Sequence, residues 1–386
     1  MSGGAPSGYK DLSCRGIRSL ERAAKWLDGM RWPGASSRNA GITRSSDWHD
    51  VERWPDMLLP ATYNSVIARI LIGEHHNIPD EEKRGVGDFL TRFQGDDGRF
   101  GMPSMNAGSV YKHPEIGRTW EYIGLHISNY ARQALAWCSP ANLKEPVFVE
   151  EIIPNDEQAD SAVAKWITAR YWRDPWMEGN VIVNVAGLLL ERSQRRRVDE
   201  MIEELNKIQD PTTGFWGVDQ ARTRRALLHA FAGGMHSFHL YYHNGVTVPN
   251  AAAAIDVALD LGEHELDGLT SACLDVDLVE MLASLWPVNH RRNDIRGLIA
   301  RKVKVILSAQ NPDGGFYDEA EGIRRFDGWV GGYWEPQGLS NCFATWFRSL
   351  TVAIGLSVID PQTIENWTFR DRIGIGYFDP QRLRGI

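Results

Sequence analysis

The sequence predicts an all-α fold, an (α/α)6 toroid in which six helical hairpins build an inner and an outer ring of helices. Three observations predict it. Apolar residues recur with helical period in twelve stretches that fall into six pairs. The first stretch of a pair tends to be charged on one side while the second is apolar all round. One glutamine-glycine-aromatic turn returns three times at intervals of two pairs.

The first pair covers residues 12–30 and 48–73. In the second, the charged "DEEKRGVGDFLTRF" leads to an apolar stretch at 120–138; the third joins 159–171 to "NVIVNVAGLLLE" at 180–191. The fourth opens with "RRRVDEMIEELNKI", ending at 208, and continues at 222–242. The fifth joins 250–261 to 270–285, which falls in "TSACLDVDLVEMLASLW" (270–286), and the sixth joins 295–309 to 339–355, which overlaps "SNCFATWFRSLTVAIGL" (340–356). A helix with one charged side faces water, whereas one apolar on every side is buried, so each pair supplies one outer and one inner helix. The hairpins span about residues 11–75, 80–138, 158–192, 198–243, 250–286 and 293–356 of a single domain, with a C-terminal tail at 357–386 that either closes the ring or covers one end. Strand signals are nearly absent; the run at 147–153 is short and isolated.

The turns are "TRFQGDDGRFG", "NKIQDPTTGFWG" and "SAQNPDGGFYD", with Gln94, Gln209 and Gln310 spaced by 115 and 101 residues. Half of such a gap is roughly 50 to 58 residues, room for two helices and their loops. A glutamine just past a helix end is expected to bond free carbonyls and N–H groups there, while Asp and Gly make a tight turn and the aromatic folds back on the junction.

Composition narrows the function. The 386 residues are 43% hydrophobic and 24% charged, an ordinary globular balance with chain enough for a large core. A net charge of −8 without a basic stripe gives no footprint for nucleic acid. Cys14, Cys138, Cys273 and Cys342 lie far apart without ligand spacing, which argues against a disulfide framework or a zinc site. Neither a secretory signal nor an apolar run of membrane-spanning length is expected, so the expected location is cytoplasmic, with peripheral membrane contact left open. There is no GxSxG, P-loop or GxGxxG in a strand-helix setting. The fifteen tryptophans either fill a core or line a cavity.

The three glutamine-glycine-aromatic corners, in which the final aromatic is Phe100, Phe215 with Trp216, or Phe316 with Tyr317, resemble the QW-type repeat of the terpenoid cyclase and protein prenyltransferase α/α-toroid superfamily, which includes the squalene cyclases. The resemblance extends over about residues 10–356. It implies a central cavity and, for class II cyclases, an Asp-x-Asp-Asp motif whose middle Asp protonates an alkene or epoxide. The nearest string is "CLDVDLVEM", in which Asp275 and Asp277 match the first two acidic positions and Leu278 stands at the last. The Asp-Asp-x-x-Asp motif of class I enzymes and the zinc pattern of the prenyltransferases are missing, so no metal or other cofactor is implied.

Candidate residues follow from chemistry as well. Asp275, Asp277 and Glu280 fall in an otherwise apolar inner helix, where desolvation raises a carboxyl's pKa and suits it to donate a proton; the alternative is that they cap the helix start. Asp277 is the first choice. "HAFAGGMHSFHLYYHNG" brings His229, His236, His239 and His243 to roughly one helical face, next to Tyr241 and Tyr242. His236 and His239 are the candidates for proton shuttling there, and Gly233 with Gly234 either interrupts the helix or lets it approach a neighbour closely. Substrate contacts are expected at the cavity mouth and wall from Trp48 and His49, Trp120 and Glu121, Trp176, Glu178 and Asn180, Tyr241, Trp334 and Glu335, and Trp346. Aromatic faces stabilise cations and also stack on sugars.

Three readings of function remain open at this point. The first is a class II-like cyclase (an isomerase or lyase) acting on a polyprenoid. The second is a carbohydrate-active barrel (hydrolase, lyase or epimerase), with Glu and His as acid and base on a glycan. The third is a toroid that only binds or scaffolds. A deep apolar cavity favours the first and an open groove with exposed Trp faces the second.

Overall fold

The computed structural model describes residues 7–32, 40–74, 77–107, 120–153, 160–171, 174–218, 222–321, 323–325, 330 and 333–384. Its helices in chain order are α1 (Ser7–Gly29), α2 (Leu58–Leu71), α3 (Asp80–Thr91), α4 (Trp120–Cys138), α5 (Val149–Ile152), α6 (Asp160–Tyr171) and α7 (Pro175–Glu191). They continue with α8 (Arg195–Ile208), α9 (Arg224–Asn244), α10 (Ala251–Glu263), α11 (Ala272–Ser284), α12 (Arg292–Ser308), α13 (Cys342–Ile359) and α14 (Gln381–Arg384). Two three-residue strands, Ile323–Arg325 and Trp334–Pro336, pair antiparallel between α12 and α13.

Six inner helices close on one another: α2 packs on α4, α4 on α7, α7 on α9, α9 on α11, α11 on α13, and α13 back on α2. The outer helices α1, α3, α6, α8, α10 and α12 back onto them, and α12 meets α1 where the ring closes. The fold is therefore the all-α toroid of six helical hairpins. Burial follows the sequence pattern. Every residue of α13 is buried. It is the one helix among the described residues long and apolar enough to cross a membrane, yet the ring encloses it wholly. On α8, by contrast, only Arg197, Val198, Met201, Ile202 and Leu205 are buried, a single stripe.

The corners follow α3, α8 and α12, every second pair, and each ties its own unit to the next. Gln209 donates from Nε2 to the Gly214 carbonyl at 2.8 Å while its Oε1 accepts from Asn250, which opens α10. Gln310 donates to Gly314 O and Ser19 O, and its Oε1 accepts from the Ser19 hydroxyl at 2.9 Å. Gln94 Oε1 accepts the Lys144 N–H at 2.6 Å. The expectation that these amides cap the preceding helix is thus corrected: Gln209 and Gln310 bond their own turn and the adjoining unit, and Gln94 bonds the segment after α4. The corner glycines show why. Gly98, Gly214 and Gly314 all have positive φ, and a Cβ on them would meet the Glu145 carbonyl at 2.3 Å, Ala254 Cβ at 2.7 Å and the Arg22 carbonyl at 2.7 Å. Gln310 and Gly314 therefore lock the last unit onto the first.

Three further points are decided by the structure, of which the start of the first inner helix is a correction. The run at 147–153 contains the single helical turn α5. The first inner helix starts at Leu58, not residue 48, because His49 holds a loop: its Nδ1 accepts the Ser45 N–H and its Nε2–H donates to the Trp54 carbonyl. Gly233 does not break α9. It brings α9 against α7 so closely that a Cβ on Gly179 would lie 2.1 Å from the Gly233 carbonyl oxygen.

Candidate active site

The tail covers one end of the ring. Thr368 N–H donates to the Leu71 carbonyl at the end of α2, Arg372 pairs with Glu191 at the end of α7, and Arg382 reaches the carbonyls of Ser284 and Tyr242 near the ends of α11 and α9. The inner helices thus run in one direction, with their C-terminal ends under the tail.

Helix α11 sorts its three acids. At about 100° per residue, Asp277 points roughly 200° away from Asp275, whereas Glu280 lies only about 60° from Asp277. Asp275 faces the wall: it accepts from Lys302 Nζ at 2.6 Å, from Arg348 and from the Thr270 hydroxyl at 2.7 Å. Held between two cations, this side chain braces α11 against α12 and α13 and is committed to the wall, which argues against the catalytic part expected of it. Nor is capping its task alone, since the Ala272 N–H at the helix start is taken by Asp318.

Asp277 and Glu280 share the inward face. Both are buried, and burial pushes each carboxyl well above the usual carboxylate range. Asp277 Oδ1 has no hydrogen-bond partner in the protein. Glu280 Oε2 accepts the Gly376 N–H of the tail at 3.3 Å, and its Oε1 stands 3.3 Å from His239 Nε2 on α9. His236 lies one turn earlier on α9, as Asp277 does on α11, so the parallel register sets His236 level with Asp277. Burial holds both imidazoles neutral: His236 is pushed down to about 3 and His239 well below its ordinary value. Two acids that burial biases toward the protonated form and two histidines that it biases toward the neutral form thus lie on the neighbouring helices α11 and α9, with Glu280 and His239 in direct reach. His243 flanks the tail residue Tyr377 with ring centroids 5.1 Å apart, while His229 lies apart from the group, edge-on to Trp176.

Tail residues complete this group. Arg370 donates to the Ile375 carbonyl at 2.7 Å and to Asn129 Oδ1 at 3.1 Å, and its guanidinium covers the Tyr130 ring at 4.3 Å. The Tyr130 hydroxyl accepts the Ile375 N–H. Gly374 and Gly376 have positive φ, and a Cβ on Gly374 would meet the Asn129 amide at 2.9 Å, so the tail backbone passes where side chains do not fit.

A belt of aromatic rings adjoins Tyr130. Tyr63 on α2 stacks at 6.3 Å, His126 lies at 4.3 Å, and Trp346 on α13 meets Tyr130 edge-on at 5.2 Å and Phe347 at 4.5 Å. In ring order, α4 stands opposite α11, so the belt carried by α2, α4 and α13 faces the acids and histidines of α9 and α11.

The remaining predicted residues divide. Trp346 joins the belt. Tyr241 does not: its hydroxyl donates to Asn206 on the outer helix α8, which turns the ring into the wall. Glu178 pairs with Arg170 of α6 at 2.9 Å, and Asn180 bonds the Trp176 carbonyl, so this trio stays within the wall of the third hairpin. Trp48 and Trp334 form an exposed pair with centroids 5.3 Å apart near the start of α13. Beneath them Glu335 is fully buried and accepts from Ser46 and Tyr333. Trp120 and Glu121 open α4, but their side chains lie outside the described residues. Among the described residues no three His, Cys, Asp or Glu side chains are grouped to hold a metal.

No protein-family model matches the chain, and no curated protein matches its sequence. Among solved structures, an apo variant of the type II terpene cyclase MstE from Scytonema is similar at 14% identity over 91% of this chain and 99% of that one, with a TM-score of 0.45. That likeness is too distant to bear on chemistry.

Sequence reasoning missed Arg370, Gly376, Asn129, Tyr130 and Tyr63. The signal for the first two was the glycine pair in "RDRIGIGYFD", which marks a backbone forced through a narrow place. No local signal marks the others, since an inner helix is apolar or aromatic on all sides.

Proposed function

We propose that this protein is a class II-like terpenoid cyclase in which Asp277 protonates a polyprenoid within the ring. One observation carries the reading: Asp277 is a buried carboxyl group with an unpartnered oxygen, held well above the usual carboxylate range by burial and one turn from Glu280, which burial shifts the same way. An acid that holds its proton to higher pH than usual suits donation to a weakly basic carbon. The proton passes from Asp277 to an alkene or epoxide, leaving Asp277 a carboxylate and the substrate a cation. The rings of Tyr63, Tyr130 and Trp346 stabilise that cation through their π faces. The neutral imidazoles of His236 and His239 are suited to take the terminating proton and return it to the acids, so that the net change is an isomerisation. The tail limits access of water at its end of the ring.

The test is turnover of a panel of linear polyprenoids. Asp277→Asn is expected to lose about 10²- to 10⁴-fold in rate with unchanged fold, the range typical of a general acid. Full activity in Asp277→Asn would overturn the assignment.

The exposed Trp48–Trp334 pair is the one feature that favours the glycan reading, since such faces stack on sugars. The buried Glu335 beneath them is bound by three hydroxyls, Ser45, Ser46 and Tyr333, and lacks the freedom of an acid-base pair. Cleavage of any oligosaccharide in a parallel panel, lost in Trp334→Ala, would favour the sugar.

A further inference from the structure

A cavity of about 590 Å³ lies in the wall between the second and third hairpins, bounded by the corner after α3, the first half of α4, and helices α5 and α6. Sites for small molecules run from about 300 to 1,000 Å³. None of its lining residues belongs to α9 or α11, so it is separate from the acids and histidines. Its accessible side chains are of two kinds. Met105, Ile152 and Trp166 are half-buried and apolar, whereas Arg99, Arg170 and Glu151 carry charge.

Those charges do not cancel. Arg99 bonds Glu151 at 2.6 Å, with the two side chains 46% and 70% exposed. A pair so open to water is weakly held and exchanges for another acid. Arg170 pairs with Glu178 at 2.9 Å, but Glu178 does not line the cavity. The lining therefore sets two guanidinium groups against one carboxylate. Each guanidinium lies over an aromatic ring, Arg99 over Phe148 at 4.8 Å and Arg170 over Trp166 at 4.3 Å, which orders both cations beside the apolar wall. The guanidinium fork donates two parallel N–H bonds to a carboxylate or phosphate. A cationic occupant meets two like charges, and a neutral one makes no use of them.

We propose that this lateral cavity binds an amphipathic anion, its acidic head on Arg99 in place of Glu151 and its hydrocarbon against Met105, Ile152 and Trp166. The site goes beyond the cyclase reading and stands independently of it, since no residue of the acid group lines it.

The test is calorimetric titration of the full chain with four eight-carbon probes: octyl phosphate, octanoate, 1-octanol and octyltrimethylammonium. Saturable binding of either anion is expected, the tighter of the two identifying the headgroup, with the alcohol and the cation at least several-fold weaker. Two exposed substitutions then act in opposite directions. Arg99→Gln is expected to weaken the anion roughly fivefold or more. Glu151→Gln, which removes the competing carboxylate, is expected to tighten it roughly threefold. Arg18→Gln, exposed on α1, leaves binding unchanged and controls for the loss of a surface cation. Asp277→Asn also leaves it unchanged, so loss of turnover and loss of this site are read separately. Absence of saturable anion binding, equal affinity for octyltrimethylammonium, or a Glu151→Gln variant that binds the anion no better than the parent overturns the proposal.

Discussion

Nε2 of His239 stands 3.3 Å from Oε1 of Glu280, and both side chains are fully buried. The distance is that of an ion pair, but burial lowers the imidazole pKa and raises that of the carboxyl, so the pair is a neutral acid beside a neutral base. In a low-dielectric interior, keeping the proton on the carboxyl avoids creating two charges.

Keeping that proton sets the pH dependence of stability. Asp277 has a folded-state pKa raised well above its unfolded value near 4. Its favourable contribution is complete below that unfolded value and is lost as pH rises toward the folded one, because only the unfolded chain has released the proton. The slope is about 1.4 kcal/mol per pH unit in that window. Asp277→Asn removes it. Relative to the parent, this variant is expected to gain stability as pH rises above about 4, until the folded-state pKa of Asp277 is passed, which melting curves over a pH series measure. A stability difference independent of pH would contradict the buried neutral acid.

Asp275 behaves differently although it is only two residues away. Asp275→Asn leaves Lys302 and Arg348 buried without their carboxylate and is expected to cost about 3–5 kcal/mol. Denaturant unfolding checks this, and a loss below 1 kcal/mol would show that the cations find other partners.

Two glycine substitutions separate close packing from helix propensity. Gly233→Ala would set a Cβ 1.8 Å from the Pro175 carbonyl oxygen, so α7 and α9 must part and little folded protein is expected. Gly29→Ala meets no atom within 4 Å and is expected to be neutral or to stabilise by up to about 1 kcal/mol. Soluble yield and melting temperature read both.

Gln310→Ala tests ring closure. It deletes the bonds from Gln310 to Ser19 and Gly314, an expected loss of about 2 kcal/mol. The signature is local: faster amide exchange in α1 and α12 than in α7. Uniform acceleration would mean that the corner does not hold the seam.

The sequence by itself determined the helix pairs, their inner or outer placement and the alternate-pair corners, because 3.6-residue periodicity and turn chemistry act over a few neighbours. It also carried Asp277, Glu280, His236 and His239 as ionisable groups inside apolar helices, where burial is dictated locally. Only the tertiary structure decided which way each pointed. Rotation along α11 sends Asp275 to Lys302 and Asp277 away from it, and the position of Tyr241 on α9 turns it to Asn206 in the wall. Nor did any local pattern bring Arg370 and Gly376 to Tyr130 and Glu280, since those contacts span 96 residues or more and arise only when the ring closes and the tail covers it.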